Sequence, residues 1–117
     1  MRLTFLGFML ALATPSNEAR SADTPIEFNR DIRTILSNKC FTCHGPGSAE
    51  RQGGMSHDSR KDAISESDSG DPAIVPSHPE KSQLVRRISS ADDDERMPPP
   101  DSGRKLSPAE IKLLTEW

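Results

Sequence analysis

The sequence predicts a small all-α domain, and three observations lead there. Apolar residues recur at helical spacing in three separate segments, near residues 28–36, 79–88 and 107–117. Two stretches, Thr24-Pro25-Ile26-Glu27 and Ser107-Pro108-Ala109-Glu110, have the form of capping boxes with proline at the first helical position. Finally, the chain has 117 residues, of which only 32% are hydrophobic and 4% aromatic. That length allows one domain, and so little core material calls for a disulfide, a metal or another internal staple.

The elements follow in order along the chain. Arg2 precedes an apolar run, Leu3 to Ala13, which gives way to polar and small residues. This is the order of a secretory signal, and the run is shorter than the roughly 20 residues a membrane span needs. Residues 1–22 are therefore expected to be a signal peptide, leaving Phe28, Phe41 and Trp117 as the aromatics of a mature domain over 23–117. The first helix is expected to start at the Thr24 box or at Asn29, with Phe28, Ile32, Ile35 and Leu36 forming one stripe. It leads into Cys40-Phe41-Thr42-Cys43-His44. Glycines 45, 47, 53 and 54 with Pro46 then mark a loop. A short helix is placed near Arg60 to Ile64, and Ala73-Ile74-Val75-Pro76 reads as an apolar segment stopped by proline. Pro79 to Ile88 reads as one helix with Leu84, Val85 and Ile88 turned inward. The Ser107 box opens a last helix whose Ile111, Leu114 and Trp117 share a face.

Net charge is -3 and no Lys/Arg-rich run stands out, so charge makes no case for nucleic acid or an anionic membrane surface. The chemistry lies in Cys40 to His44, which holds both cysteines. Three readings compete. A structural zinc site needs four ligands, and Cys40, Cys43 and His44 supply three at close spacing, with His57 or His78 left to complete it. A thiol-disulfide redox site also uses C-x-x-C, but should follow a strand, and Asp31 to Lys39 reads helical. C-x-x-C-H is also the signature of c-type haem attachment. There the two thiols form thioethers with the haem vinyls, and the adjacent histidine becomes the proximal iron ligand. Cys40 and Cys43 would anchor, His44 would ligate, and a buried porphyrin would supply the apolar body that the side chains lack. Export is consistent with this chemistry, which occurs outside the cytoplasm.

From Phe28 to Trp117 the chain resembles the planctomycete-type cytochrome c domain. The resemblance is carried by Phe28-Asn29-Arg30-Asp31-Ile32-Arg33, by "CFTCHGP" at 40–46, "DPAIVP" at 71–76, "ERMPPP" at 95–100 and "LSPAEIKLLTEW" at 106–117. It implies a small c-type cytochrome fold, all helices and loops wrapped around one covalently bound haem c. It also implies that this chain is an N-terminal fragment of a larger exported protein. His57 departs from the pattern, standing where the family tends to have an aliphatic residue.

The sixth ligand separates electron transfer from ligand binding. Met55 and His57 lie close behind His44 on the glycine-rich loop, which makes the far face of a haem awkward to reach. His78 precedes a proline at a helix start and reads as a surface residue. Met97 lies far downstream before three prolines, which stiffen an extended segment able to present one thioether at a fixed point. Met97 is therefore the expected distal ligand. A carbonyl of Pro46 or a nearby loop residue is expected to accept the second N–H of His44. Arg60, with Arg96 and Arg104 behind it, is a candidate partner for haem propionates.

The expected function is electron transfer through one His/Met-ligated haem, in the periplasm or cell envelope, without a membrane span. The partner would be a redox protein or a domain downstream in the same chain. A haem sensor module and an exported thiol-disulfide domain are the alternatives. No catalytic residue is identified, and a peroxidase of this type would need two haems where the chain has one C-x-x-C-H.

Overall fold

The computed structural model describes residues 23–47, 49 and 51–117. The proposed signal peptide lies outside the described residues. Among them the structure is helical, and the sole β feature is an isolated bridge between Glu66 and Pro72.

A π-helical turn, Phe28–Ile32, runs directly into α1 (Arg33–Lys39). Neither Thr24 nor Asn29 caps this start. Glu27 is the N-cap and uses no side-chain cap bond. Instead the Asp31 carboxylate accepts the Glu27 N–H at 2.8 Å while Arg30 grips the same carboxylate at 2.8 Å. A carboxylate one turn inside the helix thus satisfies the Glu27 N–H, which in the expected box the Thr24 hydroxyl would have accepted. The apolar stripe holds: Ile32, Ile35 and Leu36 are buried, and Phe28 packs against them.

After Cys40, α2 (Phe41–His44) is a single turn, and α3 (Arg60–Ala63) is another. Ser59 caps α3 by accepting the Asp62 N–H. The Ala73 segment then threads past both neighbours. Its Ile74 N–H donates to the Ala63 carbonyl, and its Ala73 carbonyl accepts from Leu84 N–H, both at 2.9 Å.

Pro79 to Ile88 is not one helix. A 3₁₀ turn, Pro79–Lys81, stops at Ser82, whose ψ of 123° is extended, and α4 (Gln83–Ile88) begins afresh. The buried Ser82 hydroxyl explains the break. It accepts the Val75 N–H at 2.9 Å and donates to the His78 carbonyl at 3.1 Å, holding the backbone to a different segment rather than to its own helix. Leu84 and Ile88 are buried as expected, whereas Val85 is only partly so.

A second 3₁₀ turn, Pro100–Ser102, precedes α5 (Pro108–Glu116). Here the capping box is complete: Ser107 accepts from Glu110 N–H, and the Glu110 carboxylate accepts from Ser107 N–H. Ile32, Ile35, Leu36, Leu84, Ile88, Leu106 and Leu114 form one core between the first helix, α4 and α5. Each such side chain contributes about 1.5–3 kcal/mol when fully buried. Trp117 does not share that burial. It is 44% exposed, with its ring centre 5.6 Å from that of Phe28, so it closes the first helix against the last from outside.

Candidate functional site

The cysteine motif is built on a break between two helices. Cys40 ends α1 by donating its N–H to Leu36, then accepts at its own carbonyl from Cys43 and His44, which winds α2 into one tight turn. Cys40 is partly buried and Cys43 exposed.

A returning strap fixes this turn from behind. Gln52 N–H donates to the Cys43 carbonyl and His57 N–H to the His44 carbonyl, both at 2.8 Å. Between them the fully buried Ser56 hydroxyl lies 3.2 Å from the Gly45 carbonyl and 3.3 Å from that of His44, and also reaches Asp58. Arg51 adds a longer contact to the Gly45 carbonyl. On the other side Arg104 donates to the Thr42 hydroxyl at 3.0 Å, tying a motif spacer to the segment before α5.

Met97 arrives by a separate route. Its N–H donates to the Arg87 carbonyl at 3.1 Å, which anchors the segment to the end of α4, and Arg86 pairs with Glu95 at 2.9 Å just upstream. The outcome is a cavity of about 220 Å³ lined by Cys40, Cys43, His44 and Met97, with Ile88, Pro98 and Pro99 among its apolar walls. Both thiols, the imidazole and the downstream thioether therefore share one space.

The other sequence candidates stand elsewhere. Met55 does not line this cavity. His78 is exposed and pairs with Glu80 at 3.1 Å. Arg96 pairs with Asp93 at 2.6 Å. His57 and Arg60 line a second, larger apolar cavity of about 980 Å³ that also touches Phe28, Leu84, Leu114 and Trp117. His57 faces neither solvent nor the first cavity: it is 6% exposed, with its ring 5.3 Å from that of His44.

Electrostatics separate the readings of the motif. Burial pushes the Cys40 thiol up to about 11, with Cys43 adding to the effect. A redox-active C-x-x-C needs the reverse, a thiol whose pKa is lowered so that thiolate forms. Among the described residues no group of three or more His, Cys, Asp and Glu side chains is arranged to hold a metal ion. Burial lowers the His44 pKa, the Met55 and Gln52 carbonyls oppose this, and Arg87 adds to the lowering. His57 is pushed down to about 4, by burial first and by His44 second.

These residues fit a covalently held haem. A neutral imidazole, two thiols and a thioether are the donor set of a c-type site. The His44 Nδ1 atom is buried and has no hydrogen-bond partner, although the Met55 and Gln52 carbonyls are near enough to act on the ring. Pro46 is not among the carbonyls that do so. Spacing in the sequence did not single out Gln52 or Ser56, and it offered Arg104 only for a propionate, not for the Thr42 hydroxyl. Their contacts are to main-chain carbonyls and a spacer hydroxyl, for which no motif codes.

A family model described as planctomycete cytochrome C matches residues 40–101. The span runs from the first cysteine through Met97 and its prolines. No curated protein matches the chain, and no solved structure does.

Proposed function

Since the chain belongs to the planctomycete cytochrome C family, we propose that it is a single-haem electron-transfer domain with His44 and Met97 as axial ligands. Membership implies haem and, broadly, haem-based electron transfer. The finer assignment is supported by one observation above the others: Cys40, Cys43, His44 and Met97 line the same cavity although Met97 is remote in sequence.

The haem supplies the one-electron couple. Cys40 and Cys43 provide the thiols for attachment. The strap through Gln52, Ser56 and His57 holds the His44 backbone, so the imidazole is presented in a fixed direction. Met97 offers a soft thioether from a segment stiffened by Pro98, Pro99 and Pro100, and such a ligand favours ferrous iron and raises the potential. Ile88, Pro98 and Pro99 keep that end of the site apolar. Arg60 lines the larger cavity beside His57 and not the one shared by Cys40, Cys43, His44 and Met97, so it is not assigned to a propionate. We place the domain in an exported compartment, where thioether attachment takes place. No helix of the described residues is long and apolar enough to cross a membrane, and the redox partner is a protein or a further domain.

The test begins with expression in an exported form alongside a c-type maturation system. The haem should stay with the protein through acid–acetone extraction, and its loss to the organic phase would end the thioether reading. Met97→Ala should keep the haem attached, remove the weak methionine-to-iron charge-transfer band, lower the reduction potential and admit cyanide or carbon monoxide. A six-coordinate low-spin spectrum identical to that of the parent protein would exclude Met97 as a ligand.

A further inference from the structure

The partly buried imidazole of His44, which lines the cavity, lies beside the buried imidazole of His57. The ring centres of His44 and His57 are 5.3 Å apart with a 52° tilt. Each ring has a buried Nδ1 atom without a hydrogen-bond partner. A buried polar atom left in that state costs about 1–3 kcal/mol, so two on neighbouring rings call for a common explanation. The backbone keeps the rings together, because His57 N–H donates to the His44 carbonyl and Ser56 holds the same carbonyl from its side chain. A hydrogen bond between ring nitrogens about 3 Å apart sets imidazole centres roughly 5 Å apart. The observed centre spacing is of that size, but the two Nδ1 atoms are not hydrogen-bonded to each other here, so a turn of the rings is needed to bring them together.

We propose that His57 is the positioning residue of His44, its Nδ1 accepting a hydrogen bond from the Nδ1–H of His44. This rests on the haem reading, because an iron ligated at Nε2 leaves the His44 proton on Nδ1. His57 then carries its own proton on Nε2, the tautomer with its lone pair toward His44. The bond satisfies both orphaned atoms at once and fixes the rotation of the His44 ring. It also makes His44 a more basic ligand, which favours ferric iron. His57 thus works against the potential-raising effect of a thioether ligand.

The decisive measurement uses the haem-loaded, reduced wild-type protein labelled with ¹³C and ¹⁵N. A scalar coupling across the hydrogen bond, from the His44 Nδ1–H to His57 Nδ1, is the expected result. Coupling of that proton to the carbonyl carbon of Met55 or Gln52, or its free exchange with water, would overturn the proposal. Potentiometry gives an independent readout. His57→Leu should raise the reduction potential with the low-spin spectrum kept, and His57→Gln, whose carbonyl can still accept, should shift it less. An unchanged potential in His57→Leu would leave His57 as core packing alone. Haem lost from the wild type on acid–acetone extraction would remove the parent reading and this one together, whereas retained haem with no coupling would remove this one only.

Discussion

Gly45 shows how little room the motif leaves at its C-terminal edge. Its φ of -104° is open to any residue, so conformation does not demand glycine. Space does. A Cβ there would overlap the Phe41 carbonyl oxygen and come within 2.8 Å of Phe41 Cβ and 2.9 Å of Phe41 Cα. These atoms belong to the turn that carries Cys43 and His44, so they cannot yield as a flexible side-chain end would. Gly45→Ala should cost about 1–3 kcal/mol, the usual penalty of overpacking, read from the urea midpoint and accompanied by lower haem incorporation. Gly47 is the control. Nothing lies within 4 Å of its added Cβ, and Gly47→Ala should stay within about 0.5 kcal/mol of the parent protein. Equal effects at the two positions would mean that close approach to Phe41 is not what Gly45 provides.

At the scale of elements, α5 sets capping against packing. Nine residues are too few for a stable isolated helix. Ser107→Ala should remove about 1 kcal/mol with the cap. Leu114→Ala, which empties a position only 3% exposed, should remove about 2–5 kcal/mol. Urea midpoints of the two variants give the ratio, and a larger loss from Ser107→Ala would reverse the argument. The same contrast explains what was legible in the sequence. The Ser107 box is closed by residues three apart, so its physics is local and readable. The Thr24 box had the same letters, but Asp31 reached back to Glu27 N–H and moved the start. The break at Ser82 depends on Val75, in another segment, and no periodicity announces it. Cys40, Cys43 and His44 fall within five residues, and Met97 is marked by its prolines, so the four candidates that line one cavity could be picked out in the sequence. The strap could not, because Ser56 and Gln52 act on main-chain carbonyls brought near by loop closure. Nor could the place of His57, which depends on where that loop returns.

For the whole molecule, the buried imidazole of His57 couples stability to acidity. His57 titrates near 6.5 when unfolded and is pushed down to about 4 by burial and by His44. Between those values the unfolded chain binds a proton that the folded chain refuses, so stability rises with pH across the window. It should be fully present above about pH 6.5 and fall as the pH drops through 4, with a loss of up to about 3 kcal/mol. Urea unfolding at several pH values checks the sign, and His57→Leu should flatten the slope. A slope in the variant as steep as in the parent would assign the effect to other groups. The contact between Trp117 and Phe28 has a further, optical consequence. The chain has one tryptophan and no tyrosine, so its ultraviolet emission has a single bright source, seated where the first and last helices meet. Fluorescence therefore reports the parting of the first and last helices without any label. A haem bound as proposed, absorbing across that emission, would keep the native protein dark and let it brighten as those helices separate.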